Sequence, residues 1–360
     1  MRRTHTGGVG SAISCTFAVR HSLWLMPDLS LQLWVRCYMG CTARRQSGQR
    51  IHSIVGEKMR IARVFPRRTR ATPTDDLSFV GTPGLFPPEV DEVHISVAFS
   101  WDLALAEQLE KQWKPVAPVQ IGGPATGQPS GEFDPGMYIK QGYVITSRGC
   151  PNRCWFCEVW KREHGEMKEL RINDGWNILD DNLLACSDRH ITSVFSMLER
   201  QANTVEFTGG LEAARLKDWH IDWLVRIKDR KVKTDPSSKR VGAHVPMQIF
   251  FAYDTPDDYE PLVSAAQRLI SAGFKPESHM LRCYLLVGFP KDTFDSAELR
   301  MKQVIDLGVY PNAMLWRGRT GLPDPKWISF QSKWGRAIRV FQNIRINTQE
   351  SIPPQMELFT

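Results

Sequence analysis

The sequence predicts an α/β protein built on parallel strands. From residue 143 onward, short runs of β-branched and aromatic residues alternate with helical stretches, giving six strands in all. The runs end on turn residues, as at Gly209-Gly210 and Gly288-Phe289-Pro290. The intervening segments carry helix start and stop signals. Alternation of this kind requires right-handed crossovers and a parallel sheet, and six such units suit a curled, incomplete barrel.

In chain order the strands are expected at Tyr143–Ser147, Trp176–Leu179, Thr204–Thr208, Met247–Tyr253, Leu281–Val287 and Asn312–Trp316. A helix follows the second strand from about Asp188, with Ile191, Val194, Phe195 and Leu198 on one face. The helix after the fourth has Thr255 as N-cap, Pro256 at its first position, Asp257 and Asp258 in its first turn, and Gly273 past its end. Another runs from Thr293 to Leu307, stopped by Gly308. Residues 229–246 are polar and basic and read as one long insertion. In the tail, 318–360, Trp327, Phe330, Trp334 and Ile338 recur at helical spacing, as in a helix closing one end of the barrel.

Ahead of the barrel, residues 59–136 read as a small α/β region. Its first part, 59–90, is rich in Pro, Arg and Thr and is expected to be loop-like. Val93–Phe99 alternates as a strand, and Trp101–Trp113 carries Leu105, Leu109 and Trp113 at helical spacing. Val116–Ile121 is a second strand, closed by Gly122-Gly123-Pro124. The stretch 122–136 reads as a linker.

Charge is distributed unevenly. The formal net charge is +7, yet residues 1–58 hold eight Arg and Lys against Asp28 and Glu57, a net +6, which leaves +1 for the rest. A basic footprint for nucleic acid is therefore confined to that segment. The segment lacks a clean period, and we read it as an unstructured extension, or as sequence upstream of a true start at Met59. Cys37 and Cys41 lie within it. No run of eighteen apolar residues exists, so no membrane helix is expected. Eight cysteines are too few for a disulfide scaffold and point to a reducing compartment, the cytoplasm.

The chemistry concentrates in Thr146-Ser147-Arg148-Gly149-Cys150-Pro151-Asn152-Arg153-Cys154-Trp155-Phe156-Cys157. Thiolates are soft ligands suited to iron–sulfur clusters. Spacings of three and two residues let one loop wrap three corners of a cubane, leaving the fourth iron without a local thiol. Three other readings compete: a zinc site completed by His164, a disulfide leaving one odd thiol, and three cysteines of the core. The loop follows a strand, at the end of a parallel sheet where ligands bind.

The CxxxCxxC spacing, with an aromatic residue before the last cysteine, resembles the signature of the radical S-adenosylmethionine (SAM) superfamily. The wider string resembles the branch with a cobalamin-binding-type domain before the barrel. The resemblance implies a partial (β/α)6 TIM-type barrel over 137–317, preceded by a truncated Rossmann-like piece. It also implies a 4Fe–4S cluster on Cys150, Cys154 and Cys157, SAM bound with it as co-substrate or regenerated cofactor, and an electron donor such as flavodoxin or ferredoxin. Phe156 then occupies the place near the adenine. The SAM amino group would be received by Asp180-Asp181-Asn182 by strand order, or by Gly209-Gly210-Leu211-Glu212 by spelling. Asp254 falls where a polar residue meets the ribose, or merely caps a helix, and Gly288 falls in a loop near the adenine. The Asp-x-His-x-x-Gly motif of cobalamin proteins is absent and His94 stands alone in a strand, so cobalamin is not expected.

In the third strand Val205 and Phe207 share one face, which should meet the helices, and Glu206 and Thr208 share the other. A carboxylate inside the barrel needs a partner, and Arg282 and Arg317 are the candidates. These three are the candidate catalytic residues, with Arg215, Lys140 and Tyr284 behind them. A charged interior suggests a polar substrate. Three function classes follow: a radical SAM enzyme, a non-enzymatic zinc or iron–sulfur protein, and a nucleic-acid-modifying radical SAM enzyme.

Overall fold

The computed structural model describes residues 59–230, 247–318, 321 and 323–334. Residues 1–58 with Cys37 and Cys41, most of the insertion and the tail beyond Trp334, Ile338 included, lie outside the described residues. The described chain is mixed α/β with two parallel sheets.

The first sheet has four strands, β1 (Ile61–Phe65), β2 (Ser78–Val80), β3 (Glu92–Ser96) and β4 (Val119–Gly122), in the order β2-β1-β3-β4, all parallel. Helix α1 (Leu103–Trp113) buries Ala106, Leu109 and Trp113 against Ala62, Val64, Val93 and Ile95. The Trp113 indole N–H is satisfied by the Gly81 carbonyl at 3.0 Å. The expectation of a loop over 59–90 is overturned. β1 is a central strand, paired on both sides, and its residues Ala62 and Val64 are fully buried. Pro66 and the Arg-rich run after it begin only where this strand ends.

The second sheet has six parallel strands in the order β12-β11-β10-β9-β8-β5. These are β5 (Tyr143–Val144), β8 (Asn177–Ile178), β9 (Glu206–Phe207), β10 (Gln248–Ala252), β11 (Leu281–Val287) and β12 (Tyr310–Leu315). The six expected strands are present, and the first three are shorter than expected. The first also bends. Ser147–Arg148 (β6) leaves the sheet and pairs antiparallel with Lys168–Glu169 (β7), so a two-stranded ribbon closes the base of the cysteine loop. Within that loop lies one short helix, α2 (Val159–Arg162).

Helices α3 (Asp188–Glu199), α4 (Asp218–Asp229), α5 (Tyr259–Ser271) and α6 (Phe294–Asp306) connect the strands. α3 is capped by Ser187, whose hydroxyl accepts the His190 N–H, and α6 by Thr293, which accepts the Ser296 N–H. Thr255 and Asp258 form a reciprocal cap ahead of α5, as the sequence signals. α4 has no such signal. It buries Ile221, Leu224 and Ile227, with Trp219, Trp223 and Val225 packed beside them, and begins after a lysine, which is not a usual N-cap. α7 (Pro325–Trp334) buries Trp327, Phe330 and Trp334, the expected tail stripe.

β11 shows how the sheet divides its faces. Leu281, Cys283, Leu285 and Val287 are buried toward the helices, while Arg282, Tyr284 and Leu286 alternate with them and stay half-open. Val205 and Phe207 join the buried side as expected. The other face carries Asn177, Glu206, Phe250 and Tyr284, and Ala252 at the end of β10 is exposed on it.

Candidate functional site

The cysteine loop starts at Gly149, where its backbone enters the region of positive φ. Gly149 has φ +92°, and a Cβ there would lie 1.8 Å from the Glu166 carbonyl oxygen. Only glycine lets the two ends of the loop close so tightly. The loop is fastened further by the Trp160 indole N–H, which donates to the Cys154 carbonyl at 2.9 Å.

Beneath the loop lies a polar foundation. The Asp180 carboxylate, 1% exposed, accepts the Thr146 N–H at 2.6 Å and the hydroxyls of Thr146 and Ser147 at 2.6 and 2.8 Å. Burial pushes its pKa up even against these bonds. Asp181 accepts the Gly149 N–H at 2.9 Å and faces Arg162 at 3.4 Å and Arg148 at 3.9 Å. Beside them Glu163 is fully buried. Burial raises its pKa, but Arg162, Ser130 and Lys168 outweigh that and bring it to about 2. These carboxylates hold the loop in shape, and Asp180 has its oxygens committed to it. That leaves Asn182 of the three.

Asn182 joins the two motifs that the sequence offered as alternatives. Its amide N–H donates to Glu212 at 2.6 Å and reaches the Cys150 sulfur at 3.3 Å. Its oxygen is buried with no hydrogen-bond partner among the described residues. Arg215 holds Glu212 from the other side at 2.6 Å. Gly209 packs directly on Asp180, where a Cβ would lie 2.3 Å from the Asp180 carbonyl oxygen. The Asp180–Asn182 and Gly209–Glu212 turns are thus one structure beside Cys150.

Cys150, Cys154 and Cys157 are free thiols of intermediate exposure. Burial raises the Cys154 thiol, and Cys157 and Cys150 add to it, taking it to about 11. Burial likewise raises Cys157, partly offset by the N–H groups of Val159 and Trp160. Thiols that oppose one another's ionisation suit a cationic centre, which relieves the repulsion. Among the described residues no three His, Cys, Asp or Glu are grouped to hold a single metal ion, and His164 is exposed in a left-handed turn. The other two described cysteines lie elsewhere. Cys283 is fully buried in the core and Cys186 lies against Ser147 and Asp180.

Aromatic groups close the mouth. Trp155, 52% exposed, meets Phe156 edge-on at 5.4 Å and Phe289 at 5.6 Å, which brings the Gly288–Pro290 turn beside the cysteine loop. Gly288 is glycine because the Trp327 ring of α7 occupies the space of a side chain, 2.7 Å from a Cβ. At the end of β10, Asp254 accepts the Leu286 N–H at 2.7 Å, and burial pushes its carboxyl up to about 6. The Thr255 cap is made by Asp258, not by Asp254, so Asp254 keeps a second oxygen for other use.

The expected pairing in the interior is corrected. Glu206 meets Asn177 at 2.9 Å and Arg70 at 3.5 Å. Arg282 is not its ion-pair partner. It sits between the rings of Phe250 and Tyr310, at 5.6 and 5.2 Å. Arg317 is elsewhere, over the Trp101 ring at 5.4 Å. Arg70 comes from the segment 59–90, read as loop-like, and no local sequence signal pointed to it. Tyr284 donates to the Thr208 carbonyl at 3.2 Å, and the Lys140 backbone is tied to Ala71. His94 in β3 contacts Glu92 and Tyr138, as a half-buried strand histidine would.

No helix among the described residues is long and apolar enough to cross a membrane. Comparison with known proteins finds no matching family model and no matching curated sequence.

Proposed function

We propose that this chain is a radical SAM enzyme, with a 4Fe–4S cluster on Cys150, Cys154 and Cys157 at the mouth of a partial (β/α)6 barrel. One observation carries the reading. Three free, half-buried thiols share one short loop at the carboxyl edge of a parallel sheet, with neither of the other described cysteines beside them. Three thiolates on a cubane leave one iron open for an exogenous ligand.

When bound, the cluster supplies the electron that opens the sulfonium of SAM and yields a 5′-deoxyadenosyl radical for hydrogen abstraction. The chain's own part is holding and shielding. Asp180 and Asp181 fix the loop backbone, and the Asn182 N–H steadies the Cys150 sulfur. Asn182 and Glu212 offer oxygens at the position suited to an amino group, and Asp254 offers one suited to a hydroxyl. Trp155, Phe156 and Phe289 keep water from the mouth. Glu206 and Arg282 on the open face favour a polar substrate. A flavodoxin or ferredoxin is the expected electron donor, and the sequence gives no cobalamin motif.

Protein purified without oxygen should be brown, contain about four iron per chain, and release 5′-deoxyadenosine from SAM with a reductant. Cys154→Ala should abolish both colour and product. Colourless protein carrying one zinc ion overturns the proposal and favours a structural metal protein.

A further inference from the structure

A cavity of about 800 Å³ lies away from the cysteines, at the carboxyl ends of β1, β3 and β4. Its origin is topological. After β1 the chain crosses to β2 on one side, and after β3 it crosses to β4 on the other. The connections diverge at the β1/β3 boundary, and a crevice opens at such a switch point. Residues 65–72 and 96–102 form its banks, Gly122-Gly123-Pro124 its back, and residues 128–134 its cover. It approaches the cysteine loop at Arg148. The volume falls within the range of ordinary small-molecule sites.

The charge of the lining argues against an anionic ligand. Arg67 is held by Asp102 through both its Nε, at 2.6 Å, and a terminal nitrogen. Arg148 faces Asp181. What remains on the walls is the carboxylates of Glu132 and Asp134, which repel an anion, and neutral hydrogen-bonding capacity in Gln120 and Gln128, with aromatic surface.

That aromatic surface is ordered. The Arg317 guanidinium lies over Trp101 at 5.4 Å, and Trp101 stacks on Phe99 at 4.8 Å with the ring planes 8° apart. Phe99 lines the cavity, whereas Trp101 and Arg317 do not. Phe99 therefore stands at the wall of the crevice already stacked on Trp101, and a further flat group in the crevice would extend that stack.

We propose that the crevice between β1 and β3 is a binding site for a flat, non-anionic, hydrogen-bonding ring of the nucleobase or nucleoside class, stacked on Phe99. The site stands on its own geometry and does not depend on the cluster.

Guanosine and cytidine are the probes, because adenosine is part of SAM and would confuse the two sites. Each is titrated into the full chain by calorimetry. At least one should bind with Kd below about 1 mM. Gly122→Leu fills the crevice, since Gly122 has no positive φ and a Cβ there meets nothing within 4 Å. It should weaken binding about tenfold or more, and Phe99→Ala should do the same. Phe99→Tyr should retain binding. Cys154→Ala should leave it unchanged, which separates this site from the cysteine loop. The proposal is overturned if neither nucleoside binds, if binding survives both Gly122→Leu and Phe99→Ala, or if it is lost in Cys154→Ala. Should Gly122→Leu not fold, Phe99→Ala against Phe99→Tyr decides.

Discussion

Asp254 shows how one residue links stability and the site. Its carboxyl, ordinarily near 3.8, is pushed up to about 6 by burial. A raised acid holds its proton more tightly folded than unfolded. Its ionisation therefore costs stability as pH rises from 3.8 to 6, and the full cost is present above 6. Asp254→Asn keeps an oxygen for the Leu286 N–H and removes that charge. It should stabilise the protein by up to about 3 kcal/mol at pH 8 and by little at pH 4, read from urea unfolding at the two values. Equal effects at both would mean that the carboxylate is already well solvated. At this scale the sequence was informative about which residues share one loop and silent about their partners elsewhere in the chain. The three cysteines were legible because their spacing is local. That Asp180 would serve Thr146 and Ser147, or that Glu206 would meet Arg70 and not Arg282, depends on contacts between segments distant in the chain. No local pattern encodes these.

At the scale of elements, β11 was read to the residue because its alternation spans seven positions between clear turns. β1 was missed because Ile61–Phe65 is short and runs straight into Pro66-Arg67-Arg68, whose composition dominated the segment. Its burial gives the test. Val64→Ala should cost about 2 kcal/mol by chemical denaturation, as a truncation in a core does. A loop residue would change stability by less than about 0.5 kcal/mol. The bend between β5 and β6 was also illegible. Tyr143–Ser147 reads as one strand, and only pairing with Lys168–Glu169 shows that its second half belongs to the ribbon under the cysteines.

For the molecule as a whole, the described residues belong to one compact unit, while residues 1–58 carry nearly all the excess positive charge. A chain beginning at Met59 should unfold at the same temperature as the full chain in a calorimetric scan. It should also lose any salt-sensitive binding to nucleic acid. A large fall in melting temperature would place residues 1–58 within the folding unit.

The order of the six-stranded sheet has a consequence for synthesis. Each strand from β8 to β12 pairs with the sheet strand translated just before it, so no gap must be held open for a later arrival. The sheet can grow outward from the ribosome one unit at a time. β12, the last strand among the described residues, lies on an outer edge, so a release of the nascent chain before residue 310 would strip one border and leave every earlier strand pairing in place.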